Sequence, residues 1–140
     1  MTFVGIDYLA VVVAAVASFA FGSVWYMALG KAWMAALGKT EEEIKGAGKK
    51  MPVVPMIIAL IAQLVMAYML AGVMGHLGAE TMTALGGLFT GLLVWVGFVI
   101  TALAVNHAFQ GAKRGLTLID GGHWLGVLLV QGLVIGLFGA

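Results

Sequence analysis

Four side chains carry most of the chemistry this chain offers: Asn106, His107, Asp120 and His123. Two imidazoles and a carboxylate are a legitimate ligand set for zinc or iron, and the same groups can relay a proton. Asp120 and His123 stand three apart, so on a helix they share a face. Only the short connection around Gln110–Gly115 separates them from Asn106 and His107. Two antiparallel helices joined this closely would hold all four at one depth. A second reading starts from Thr117 and Asp120, which have the spacing of a capping box. Asp120 would then satisfy first-turn amides, and His123 would reach Asn106 or a loop carbonyl.

Little else in the chain could do chemistry. Cysteine is absent, which excludes disulfides and thiolate metal sites. There is no nucleophile–base pair, phosphate loop or pair of catalytic carboxylates. We therefore expect no enzymatic activity, no cofactor and no resident metal, with His107, Asp120 and His123 as the one metal alternative. The deeper polar groups are Gln63, Tyr68, Thr90, Trp95 and Gln131. None ionises near neutral pH, so no proton carrier stands at mid-depth. Nine methionines read as core filler.

The elements that must position these residues follow from composition. Of 140 residues, 63% are hydrophobic and only 9% charged, with a mean hydropathy of +1.11. A soluble domain carries about a quarter charged residues, so this chain cannot cover a water-facing surface. A membrane-spanning helix needs about 20 mostly apolar residues. Four such runs fit, approximately residues 8–29, 53–77, 82–109 and 116–138. None alternates with period two, which excludes a barrel. The expected fold is a single all-α integral membrane domain, residues 1–140, with four transmembrane helices arranged as two hairpins. The first run exceeds a signal peptide's apolar core and has no basic residue before Lys31, so it reads as a retained span.

All seven basic residues fall in two loops: Lys31, Lys39, Lys45, Lys49 and Lys50 in the first, Lys113 and Arg114 in the third. Four spans put both loops on one side, as the positive-inside rule requires. Both termini then lie outside the cytoplasm of a bacterial inner membrane. Trp25, Tyr26, Lys31 and Trp33 read as an interfacial anchor where the first helix leaves lipid. That helix is expected to continue to Leu37 and stop at Gly38. Thr40 and Glu43 form a capping-box pair, predicting a short interfacial helix over Glu41–Ala47. The loop serves as a solvated connector or as a docking surface for a partner or anionic lipid. The net charge of +1 gives no argument for nucleic acid.

Small residues recur every fourth position in each run. The first has Ala10, Ala14, Ser18 and Gly22; the second has Ala59, Gln63, Ala67, Ala71 and Gly75. The third pairs Gly87 with Gly91 and Gly97 with Thr101; the fourth pairs Gly122 with Gly126 and Gly132 with Gly136. Lipid tails are as apolar as leucine, so close backbone approach through small residues drives helices together. Such stripes predict tightly crossed helices. The halves also share faint features, such as Gly22 before Trp25 and Gly91 before Trp95.

The run Gly22-Ser23-Val24-Trp25-Tyr26, followed by Gly30-Lys31-Ala32-Trp33-Met34, resembles the opening signature of a bacterial membrane family, domain of unknown function 1761. Trp95-Val96-Gly97-Phe98, Thr101, Asn106 and Leu118-Ile119-Asp120-Gly121-Gly122 are similar to its second half. The resemblance implies a small four-span protein and supplies no catalytic residues. The expected function is non-enzymatic: a packing module that self-associates or serves as accessory subunit of a larger membrane complex. The alternative is a small-solute or ion permeation protein with Asn106, His107, Asp120 and His123 lining a cytoplasmic vestibule.

Overall fold

The computed structural model describes residues 5–45 and 52–139. Gly46, Ala47, Gly48, Lys49 and Lys50 of the first loop lie outside them. Four helices are long and apolar enough to cross a membrane: Tyr8–Leu37, Val53–Leu77, Ala84–Phe109 and Arg114–Phe138. The first is α1. Its start is held by Asp7, whose Oδ1 accepts from the backbone N–H of Leu9 (3.0 Å) and Ala10 (3.2 Å). Its end is Gly38, whose φ of 75° is the left-handed conformation glycine adopts without steric cost. Next comes α2, Glu41–Lys45. The Glu43 N–H donates to Thr40 Oγ1 at 3.2 Å, and the Thr40 N–H reaches back to Glu43 Oε1 at 3.4 Å.

Helix α3 is Val53–Leu77. Pro55 is tolerated there because a first-turn residue has no intrahelical acceptor for an N–H. A 3₁₀ turn at Ala79–Thr81 follows. Thr81 Oγ1 lies 2.7 Å from the Met74 carbonyl and 2.8 Å from that of Gly78, which ties the turn to the end of α3. The third span is interrupted: α4 covers Ala84–Val94, a π-helical turn covers Trp95–Val99, and α5 covers Ile100–Phe109. It begins at Ala84 rather than Met82 because Thr83 caps it, accepting from the Gly86 N–H at 3.0 Å. Helix α6, Arg114–Phe138, begins two residues before the expected 116.

Helix α6 is the hub. Buried residues make up 44% of its most apolar stretch, against 11% for α4–α5. It lies between α1 and α4, and α3 packs mainly on α1 while also touching α6 and α4. The closest helix pairings are thus α1 with α6 and α4 with α6. The core consists of small and medium residues, among them Ala14, Ala15, Ala67, Met74, Leu128 and Ile135. The periphery exposes large apolar side chains such as Val12, Ile58, Phe89 and Phe98. A chain folded in water would hide these; in lipid they face a solvent as apolar as themselves.

Helix α6 receives its two neighbours differently. Against α4, glycine meets backbone. A Cβ built on Gly87 would fall inside the carbonyl group of Gly132, and one on Gly132 inside that of Gly87. One turn away, a Cβ on Gly91 would lie 2.6 Å from the Leu128 oxygen. A Cβ on Gly136 would collide with the Thr83 carbonyl. Against α1, glycine meets rings. A Cβ on Gly122 would lie 2.8 Å from Trp25 Cζ2, and one on Gly126 would overlap the Phe21 ring.

Candidate functional site

The residues singled out for chemistry converge only in part. Asp120, on the second turn of α6, accepts a hydrogen bond from Tyr26 Oη of α1 at 2.7 Å. Its other oxygen stands 4.0 Å from His107 Nε2 of α5. His107 Nδ1 lies 2.8 Å from Thr117 Oγ1 of α6. Asp120 therefore bridges α1 and α5, with Thr117 closing the string on its own helix. The Tyr26–Asp120 contact is a short hydrogen bond. The Asp120–His107 separation is ion-pair range and beyond hydrogen-bond reach. The string is not a continuous proton wire.

Two sequence expectations are corrected here. Thr117 and Asp120 do not cap α6: the helix already begins at Arg114, with Lys113 in the cap position and no side-chain bond there. Thr117 is free to meet His107 because it sits inside the helix. Second, His123 neither joins His107 and Asp120 nor reaches Asn106. Asn106 is exposed on α5. Among the described residues no three His, Asp or Glu side chains converge as metal ligands.

His123 instead fills the groove of α1. Its ring lies 4.8 Å from Tyr26, 6.5 Å from Phe21 and 4.6 Å from its neighbour Trp124, centroid to centroid. A Cβ on Gly22 would lie 2.6 Å from His123 Nε2, so the glycine in the Gly22-to-Trp25 run is the slot for an imidazole. His123 is 6% exposed, and its Nδ1 is buried with no hydrogen-bond partner. An unpaired buried polar atom costs about 1–3 kcal/mol.

The interfacial-anchor reading also divides. Lys31 is exposed. Trp33 stands edge-on to Tyr26, centroids 5.8 Å apart. Trp25 and Tyr26, however, face inward: Trp25 Nε1 donates to the Ile119 carbonyl at 3.0 Å, as Tyr26 does to Asp120. Trp95, at the start of the π turn, donates to the Gly121 carbonyl at 2.8 Å. Two indoles from opposite sides thus bond one short stretch of α6. An indole N–H needs a partner when buried, and α6 carbonyls supply it.

Deeper in the bundle lies a polar knot. Ser18 of α1 is 2.6 Å from Gln63 Oε1 of α3 and 3.0 Å from the Ala15 carbonyl. Gln131 of α6 donates through Nε2 to Ser18 Oγ at 3.1 Å and to the Gln63 carbonyl at 3.0 Å. All three are 2% exposed or less, and Gln131 Oε1 has no partner. Sequence reasoning found Gln63, Gln131 and Ser18 separately but not their meeting, nor Tyr26 as the partner of Asp120. The fourth-residue registers of Ser18 and Gln63 pointed at the knot.

The small residues sort by burial. Ala10, Ala14, Ser18, Gly22, Ala67, Ala71, Gly87, Gly91, Gly132 and Gly136 are buried, and Gly122 and Gly126 half-buried under rings. Gly75 is exposed and lines a cavity rather than a packing face. Gly97 and Thr101 are exposed as well, with nothing within 4 Å of a Cβ on Gly97.

Comparison with known proteins adds one finding. Residues 9–136 match the family described as Protein of unknown function (DUF1761). The chain belongs to this family. The match takes in all four spans but for Tyr8, Leu137 and Phe138, so the knot, the His107–Asp120–Tyr26 string and the glycine crossings of this DUF1761 chain all fall inside it. No curated protein and no solved structure matches the chain.

Proposed function

We propose that this DUF1761 protein is a non-enzymatic membrane packing module that self-associates through the outer face of its third span. Gly97 and Thr101 carry the reading. The stripes on α1, α4 and α6 are consumed inside the chain, whereas Gly97 has no neighbour and Thr101 is exposed. Ala104 and Ala108 continue the same face and are exposed too. The Thr101 hydroxyl bonds back to the Gly97 carbonyl at 3.0 Å, so it needs no further donor or acceptor from a partner. Small residues with satisfied polar groups let a second helix approach closely, which is what associates helices in lipid. The π turn at Trp95–Val99 inserts an extra residue beside this face, and such turns recur at functional sites.

The permeation alternative has less support. The deep polar groups bond one another across α1, α3 and α6, and the Phe21 ring sits against Gly126 where α1 meets α6. The positive-inside rule supports an orientation with Lys31, Lys39, Lys113 and Arg114 in the cytoplasm and both termini outside, in a bacterial inner membrane. Within that orientation α2 is a short cytoplasmic-side helix. Native mass spectrometry of protein released from nanodiscs tests the reading. Wild type should appear as a dimer or higher species, and Gly97→Leu should shift it to monomer. A wild-type monomer with no co-purifying chain removes the proposal.

A further inference from the structure

Helix α5 is attached to the bundle at few points, and one of them can change its charge. Before it, α4 is fixed to α6 by the glycine crossings, and Trp95 donates to the Gly121 carbonyl at the start of the π turn. Beyond that turn Ile100 and Leu103 lean on Gly121, where a Cβ would lie 2.6 Å from Ile100 Cδ1 and 4.0 Å from Leu103 Cδ2. His107 is the one buried residue of α5. Its side chain is 11% exposed and that of Asp120 20%, so salt and water screen the pair weakly.

This attachment is incomplete. His107 Nδ1 is 2.8 Å from Thr117 Oγ1, but Nε2 stands 4.0 Å from Asp120 Oδ2. A neutral imidazole has one N–H and can donate to only one of these oxygens; an imidazolium donates to both. A charge-assisted N–H···O bond closes to about 2.7–2.9 Å. The other charged and titratable groups nearby are already engaged or point elsewhere. Tyr26 of α1 donates to Asp120 Oδ1, and Lys113 Nζ donates to the Ala35 carbonyl. Arg114 is exposed, and His123 is turned into the groove of α1. Histidine is the side chain whose charge ordinarily changes between pH 5 and 8.

The geometry points to a proton-operated clasp, in which protonated His107 bonds Asp120 and Thr117 together and closes α5 onto α6, with the π turn as the joint. Closing favours the proton, so the clasp holds at lower pH and is lost as pH rises. With the orientation proposed above, the proton comes from the cytoplasm. The clasp does not rest on self-association.

The chain has no cysteine, so Val24→Cys with Val105→Cys places spin labels on α1 and α5 alone. Both positions are exposed. Labelled protein in zwitterionic nanodiscs is diluted with unlabelled chain, so that double electron–electron resonance reads distances within one chain. From pH 8 to pH 6 the shorter-distance component should gain on the longer by about tenfold, the worth of one hydrogen bond to a charged group. Over the same interval, ¹⁵N spectra of the imidazoles should show His107 gaining its second ring proton. His107→Gln keeps a donor for Thr117 but cannot ionise, and Asp120→Asn keeps an acceptor for Tyr26 without the charge. Each should hold the pH 8 distribution at pH 6. A wild-type ratio unmoved by pH overturns the proposal. So does a response that survives either substitution, or a His107 ring that stays neutral throughout.

Discussion

The two faces of α6 use the same residue type to opposite ends. Toward α4, Gly132 and Gly136 let carbonyl groups of the neighbouring backbone come where a Cβ would stand. Toward α1, Gly122 and Gly126 are holes that receive the rings of Trp25 and Phe21, while His123 projects back over Gly22. A backbone cannot yield without moving the whole helix, but a ring can turn about χ1. The first face is therefore rigid and intolerant, the second adaptable. The α1 face holds the Ser18–Gln63–Gln131 knot and the Tyr26–Asp120 bond, whereas the third span bonds α6 through Trp95 to the Gly121 carbonyl and, near its end, through His107 and Thr117.

The sharpest way to break this contrast is an added methyl on the rigid face. Gly132→Ala should destabilise by about 2–3 kcal/mol, the upper part of the overpacking range, because two backbones must separate. Reversible unfolding in bicelles measures it. Gln131→Leu comes next, at about 1–2 kcal/mol. It removes two interhelical bonds, to Ser18 Oγ and to the Gln63 carbonyl, in a setting where single such bonds reach at most about 1.7 kcal/mol. On the adaptable face, Gly126→Ala should cost about 1 kcal/mol or less, and Phe21→Leu in the same chain should recover most of it; coupling in that double-mutant cycle is the signature of a ring in a hole. The smallest effect belongs to Gly97→Ala. With open space around that position, the helix-propensity gain of about 0.5–1 kcal/mol should stabilise the monomer. A loss of stability there would show that the face is already covered.

The elements that build this contrast were legible in the sequence; the contrast itself was not. The spans were legible because charge is sparse and gathered near the ends of the apolar runs, and the ends at Gly38 and Thr40–Glu43 because caps have local chemistry. The fourth-residue spacing of Gly87, Gly91, Gly132 and Gly136 is a local pattern as well. What spacing does not encode is the neighbour. Gly122 and Gly132 look alike in a sequence, yet one sits under an indole and the other against a carbonyl, which depends on where α1 and α4 fall around α6. His123 misled for the same reason. Its three-residue distance from Asp120 is real, but the Gly22 slot opposite it turned a candidate ligand into a packing knob. Asp120 was misassigned because α6 starts at Arg114, moving a first-turn cap into the second turn.

The fourth-residue small stripes of α1, α4 and α6 are spent inside the chain, and Gly97 and Thr101, beyond α4 in the third span, are left over. Because the chain has no cysteine, single substitutions read that difference directly by oxidative cross-linking in native membranes. Thr101→Cys should give a disulfide-linked dimer, while Thr90→Cys, buried within the chain, and Ile57→Cys, on the exposed surface of α3, should stay monomeric. Equal yields from Thr101→Cys and Ile57→Cys, or none from Thr101→Cys, would contradict it.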